Sequence, residues 1–207
     1  MSIEIRGKAV KLFWCPQTRA ARVLWMVEEL GIDYELVRTD VSAEKDEARA
    51  ELLTASPMSK VPAIIDGDVR MAESAAICIY LADKYAEAGL APSVQQADRG
   101  AYLYWMLYVP AVVEPAMAEK FSGAEANKFS HGWGDFPTML SVLEAGLEGK
   151  DWILGDKFSA ADVMLGSTSY FLKKFGILPE TSPLNAYVER CLARPAYVKT
   201  LEIEEAG

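Results

Sequence analysis

The segment VKLFWCPQTRAARVLWMVEELGIDYELV, residues 10–37, decides the fold. Val10, Leu12 and Trp14 alternate with Lys11 and Phe13, and the run stops at Pro16, the pattern of a short strand closed by a turn. Ala20, Val23, Leu24 and Val27 then recur at the helical period, and Gly31 after Leu30 is free to take a left-handed cap. Tyr34 to Val37 resumes as a strand, so the segment reads strand, helix, strand.

Past a charged stretch from Asp40 to Arg49 and a short helical piece around Ala50 to Leu53, Val61 to Ile65 reads as a strand. Asp66-Gly67 reads as a two-residue hairpin turn, with Val69 to Met71 returning. Ser74, Cys78, Leu81, Ala82 and Tyr85 share one face of the helix that follows, which ends before Gly89 and Pro92. This order (βαβ, a connecting helix, ββα) suits a four-stranded mixed sheet covered by helices. From Pro92 onward strand alternation does not recur. Gln95 to Met117 is a long helical stretch interrupted by Pro110 and Pro115, and Trp133 to Leu147 is a second helix with Pro137 near its first turn. Ser159 with Asp162 forms a capping box that opens a third helix. The chain is expected to be an α/β domain over 1–88, a linker over 89–94 and an all-α domain over 95–207.

With 207 residues, 51% of them hydrophobic, the chain can bury a substantial core. Its formal charge of −9 and the lack of a basic run exclude the counterion-releasing stripe of a nucleic-acid binder. Met1 to Val10 is too polar for a signal peptide, and no apolar run approaches the ~18 residues of a bilayer span, so a cytoplasmic protein without a membrane partner is expected. Cys15, Cys78 and Cys191 are too few and too scattered for a disulfide framework or a zinc site. His131, the one histidine, has no Cys or Glu at motif spacing, so a structural or solvent role is expected and no metal. Motifs for nucleotide binding and for zinc hydrolysis are missing from the sequence, so no nucleotide is expected either.

Three short segments carry chemistry. Trp14-Cys15-Pro16-Gln17-Thr18-Arg19 puts a thiol and a hydroxyl at a strand-to-helix turn, where the helix's first amides stabilise an anion such as a thiolate. Cys15 is open to three readings: a reactive thiol, a group that polarises a ligand's thiol, or small apolar packing. Thr18 reads as a cap or as a second hydroxyl donor. A second cysteine at position 18 is lacking, which disfavours a dithiol reductase. Lys60-Val61-Pro62 sets a proline at a strand entrance, the place for a cis peptide and for backbone pairing with a peptide-like ligand. Lys60 there is a counter-charge to a carboxylate or a solvated lysine. Glu73-Ser74 opens a helix and can hold an ammonium and a carboxylate, or simply cap. Arg19 and Arg22 fall on the first helix, where Arg19 adds positive potential near a ligand or pairs at a surface.

The segments Cys15 to Ala20, Arg22 to Gly31, Lys60 to Ile64, Glu73-Ser74, and Trp152 to Asp156 followed by Ser159 to Asp162 resemble the glutathione transferase superfamily, of bacterial cytosolic type, over essentially the whole chain. The resemblance implies a thioredoxin-like N-terminal domain, an all-helical C-terminal domain and glutathione as cosubstrate. It implies that Val61 pairs with the cysteinyl unit beside a cis Pro62, that Glu73 and Ser74 grip the γ-glutamyl end, and that Lys60 meets the glycyl end. Cys15 stands where serine-type classes place the hydroxyl that bonds the sulfur, and omega-like members carry a cysteine there. The implied activity is attack of the glutathione thiolate on small hydrophobic electrophiles, in a detoxifying role. The alternatives are thiol transfer through Cys15 and a non-enzymatic ligand-binding protein of the same fold. Trp14, Trp105 and Tyr108 are the candidates for the electrophile site. A homodimer is expected, with Ile77, Tyr80 and the aromatic run from Tyr102 to Tyr108 as surface that needs covering.

Overall fold

The computed structural model describes residues 9–40, 48–125 and 127–207. The polar N-terminal run and most of the charged stretch after Asp40 lie outside the described residues. The order is β1 (Val10–Trp14), α1 (Ala20–Leu30), β2 (Tyr34–Arg38), α2 (Arg49–Ala55), β3 (Ala63–Asp66), β4 (Val69–Ala72) and α3 (Ser74–Lys84). After these come α4 (Arg99–Tyr108), α5 (Glu114–Ser122), α6 (Phe136–Leu147), α7 (Ala160–Lys174), α8 (Leu184–Leu192) and α9 (Pro195–Ala206). The βαβ–α–ββα order followed by helices alone agrees with the sequence reading. Among the described residues, no helix is long and apolar enough to cross a membrane.

Two compact units form. The first comprises the described residues up to Leu81 together with Pro195–Gly207, and the second the described residues of Ala82–Arg194. The sheet of the first unit has the order β2-β1-β3-β4, with β1 and β2 parallel and the other pairs antiparallel. α2 covers one patch of it, where Phe13, Leu52, Ala55 and Ala63 make a buried cluster with Val37, Val61 and Ile65 packed against it.

α1 buries every residue from Ala20 to Val27 except Ala21, more than the single stripe its periodicity suggests. The reason is α9, which covers its outer side. Trp25 packs on Tyr197 with ring centroids 4.4 Å apart, and Lys199 pairs with Glu28 at 2.7 Å. The helix ends where Gly31 takes a left-handed φ of 61° and donates its amide hydrogen to the Glu28 carbonyl.

The β3–β4 turn falls one residue later than the Asp66-Gly67 dipeptide suggests. Asp66 stays in the ladder opposite Val69, its carboxylate accepting the Tyr80 hydroxyl hydrogen at 2.7 Å, and Gly67-Asp68 make the turn. In the second unit the stretch through Pro110 keeps its helical path by widening. Val109–Val113 forms a π-helical turn in which the Glu114 amide reaches back five residues to the Val109 carbonyl. α6 begins at Asp135, whose carboxylate caps Thr138, with Pro137 in the first turn as its missing amide hydrogen allows.

Candidate active site

Strand register gathers the three chemical segments. Phe13 pairs with Ala63 and Ala63 with Ala72, so the end of β1, the start of β3 and the end of β4 lie side by side at one end of the sheet. Cys15, Val61-Pro62 and Glu73-Ser74 are the residues that leave those strand ends.

Cys15 is half-buried between β1 and α1, whereas the other free cysteines, Cys78 and Cys191, are buried. Burial pushes the Cys78 thiol up to about 12 against the opposing Arg22 guanidinium, and it likewise raises the Cys191 thiol. Of the three, Cys15 alone combines access with a helix N-terminus. The Thr18 hydroxyl donates to the Cys15 carbonyl at 2.7 Å and accepts from the Ala20 amide at 3.2 Å, so its one hydrogen is engaged in closing the turn.

The turn is held from α9. One Glu204 oxygen accepts the Trp14 indole hydrogen at 2.7 Å, and the other accepts the Gln17 amide hydrogen at 2.7 Å. Gln17 adopts a left-handed φ of 57°, and the Cα of Gly207 lies so close to the Trp14 ring that a Cβ there would come within 2.2 Å of it. The clasp thus bridges both sides of Cys15. Replacing Glu204 by alanine leaves the buried Trp14 indole without an acceptor, while water can re-solvate the exposed Gln17 amide. We expect a loss of about 1–3 kcal/mol in urea unfolding, together with a fall in activity.

Val61-Pro62 is a cis peptide. Val61 lies two residues before the ladder of β3 begins, with its side chain against the sheet cluster. Lys60 is exposed, and its backbone amide donates to the Ser56 hydroxyl at 3.0 Å. Glu73 is exposed with a φ of 71°, its carbonyl accepting from Ile77, and Ser74 is buried at the first turn of α3. Arg22 is not at a surface: it is buried, and its Nη1 donates to the Ser74 hydroxyl oxygen at 3.3 Å. Its place depends on α3, 52 residues away in sequence, and the pattern of α1 alone gives no sign of it.

The three electrophile-site candidates are all buried and fall in different units. Trp14 belongs to the first, and Trp105 and Tyr108 belong to α4 in the second. The Tyr108 hydroxyl donates to the Met139 carbonyl at 3.2 Å, and burial pushes it up to about 12, with Tyr104 adding to the rise. Trp105 rests on Gly146, where a Cβ would come within 2.5 Å of the indole. A cleft of about 830 Å³ in the second unit, lined by Asp83, Pro92, Gln95, Asp156 and Phe158 among others, contains none of the expected site residues. His131 Nδ1 and the Trp133 indole both meet the Glu119 carboxylate, at 2.8 and 3.2 Å, and the two rings stack. No group of three or more metal-ligating side chains occurs among the described residues.

The chain matches the family models for the glutathione S-transferase N-terminal domain over residues 8–83 and C-terminal domain over residues 114–190. It is 30% identical to glutathione S-transferase 1 of Triticum aestivum, covering 90% of this chain and 91% of that one. It is 27% identical to the disulfide-bond oxidoreductase YfcG of Escherichia coli, over 74% and 76%. It is also similar to the solved structure of a sphingomonad glutathione S-transferase complexed with glutathione, at a TM-score of 0.80 and 30% identity over 95% of this chain and all of that one.

Proposed function

Because the chain belongs to the glutathione S-transferase family, we propose that its glutathione lies at the sheet end where Cys15, Val61-Pro62 and Glu73-Ser74 emerge, with Cys15 facing the sulfur. Glutathione is the cosubstrate, and its thiolate attacks small hydrophobic electrophiles. The observation that carries the assignment of residues is the register Phe13–Ala63–Ala72, which brings three segments far apart in sequence to one edge.

In this reading the amides at the start of α1 and the Cys15 thiol favour the thiolate form of glutathione. Val61 pairs its backbone with the cysteinyl unit, Ser74 holds the γ-glutamyl carboxylate, Glu73 its ammonium, and Lys60 the glycyl carboxylate. Conjugation forms a bond from sulfur to the electrophilic carbon and expels the leaving group with its electron pair. Thr18 closes the turn and is not assigned to the sulfur, because its hydrogen already goes to the Cys15 carbonyl.

The half-buried thiol and the likeness to an oxidoreductase favour a second activity, thiol transfer. The Cys15 thiolate attacks the glutathione sulfur of a mixed disulfide, and the freed thiolate takes up a proton. A second glutathione thiolate then releases Cys15 and leaves as glutathione disulfide. A panel of one aromatic halide and one glutathionyl mixed disulfide, run on wild type and Thr18→Ala, tests the assignment. Thr18→Ala should retain both activities within about tenfold, and a collapse of conjugation alone would return the sulfur contact to Thr18.

We also propose a cytoplasmic homodimer. Leu103, Tyr104 and Leu107 leave an exposed apolar strip on α4, whereas Ile77 and Tyr102 are fully buried and do not contribute to it. Light scattering at micromolar protein should give twice the 22.8 kDa chain mass, and the monomer mass would refute the dimer.

A further inference from the structure

Arg22 is 3% exposed, and its guanidinium, charged at any working pH, donates to the hydroxyl oxygen of the first residue of α3 at 3.3 Å. A hydroxyl that accepts from a cation still has its own hydrogen to give, and Ser74 donates it to no other described residue. The same guanidinium acts on Cys78, one turn along α3, where it counters the effect of burial on the thiol.

Resting on the glutathione reading above, we infer that Arg22 is the positioning residue of the γ-glutamyl carboxylate: it fixes Ser74 as a donor to the ligand and sets a permanent positive charge behind that donor. A carboxylate oxygen bonded to Ser74 Oγ lies within about 6 Å of Arg22 Nη1. At that separation, with the screening usual near a protein surface, the charge changes carboxylate affinity by about tenfold to a hundredfold. The site thereby selects γ-glutamyl peptides whose α-carboxylate is free, and rejects those in which it is removed or amidated. The acceptor role of Ser74 toward Arg22 is what separates this arrangement from an ordinary helix cap, in which the serine oxygen would accept a backbone amide.

The test is a binding cycle by calorimetry with two ligands, glutathione and 4-aminobutyryl-cysteinyl-glycine, which lacks the α-carboxylate. Wild type should bind glutathione at least about tenfold more tightly than the analogue. Arg22→Met should weaken glutathione binding by about tenfold to a hundredfold and leave the analogue unchanged, so that the preference for glutathione narrows by that factor. Arg22→Lys, which keeps the charge and loses the planar fork, should restore much of the preference and stands in if the methionine variant does not fold. Equal weakening of both ligands by Arg22→Met, or a lysine variant as indifferent to the carboxylate as a neutral one, would make Arg22 structural and overturn the proposal. A wild type that binds both ligands equally would overturn it as well, since the carboxylate then does not sit on Ser74. A wild type that binds neither ligand refutes the glutathione reading itself, a result distinct from the others.

Discussion

Replacing Cys15 by serine abolishes glutathione-dependent thiol exchange, by at least about a thousandfold, and leaves conjugation to an aromatic halide within about tenfold of wild type. Exchange needs a thiolate that attacks a disulfide sulfur and then leaves again, and a serine hydroxyl can do neither. Cys78 and Cys191 cannot substitute, since both are buried with thiols pushed well up from their ordinary range. Conjugation uses the thiol of glutathione, and serine retains a hydroxyl able to donate to its sulfur beside the amides of α1. Steady-state rates with a glutathionyl mixed disulfide and with an aromatic halide, measured on the same preparation, separate the two. Full exchange activity in the serine variant would remove Cys15 from the mechanism.

Replacing Asp162 by alanine should cost about 3–5 kcal/mol of folding stability, a large share of the ~5–15 kcal/mol that holds a typical domain together. Asp162 is fully buried at the start of α7. Its Oδ1 accepts from the Ile153 amide at 2.8 Å and the Tyr187 hydroxyl at 2.9 Å, and its Oδ2 accepts from the Ser159 amide at 2.9 Å and hydroxyl at 3.1 Å. Burial pushes the Asp162 carboxyl up, and these four donors oppose the rise. Alanine leaves all four donors in the interior without their acceptor. Asparagine keeps one oxygen for Ile153 and Tyr187 but turns an amide toward the Ser159 donors, so its loss should be smaller than that of alanine. Urea denaturation followed by circular dichroism measures both. A loss below about 1 kcal/mol for the alanine variant would contradict this account of the buried network.

The features legible in the sequence were those written in neighbouring residues. The alternation of Val10 to Trp14, the stop at Gly31, the proline after Val61 and the Ser159/Asp162 spacing each specify a local geometry, and strands, cap and buried acid follow from them. Where local chemistry left a choice, distant contacts made it. The hairpin turn moved by one residue because Asp66 is tied to Tyr80 across α3. Thr18 is an exception: the contact that bears on its choice between cap and sulfur donor is three residues away, the hydrogen bond it gives to the Cys15 carbonyl, and on that ground we assign it to the turn. The Glu204 clasp lay furthest from reach, since it joins residues 190 positions apart and its helix has no pronounced apolar face to mark it. The sequence places Arg22 on the first helix and assigns it no role, for the same reason. Its burial depends on the α3 helix that closes over it, and α1's own periodicity does not record that helix.

The proposed glutathione site joins the strand ends bearing Cys15, Val61-Pro62 and Glu73-Ser74. Calorimetric titration of the wild-type protein with glutathione tests it most directly. Saturable binding of one glutathione per chain is expected, weakened by Ser74→Ala through loss of the hydroxyl that meets the γ-glutamyl carboxylate. Absence of any heat of binding up to millimolar glutathione would contradict it.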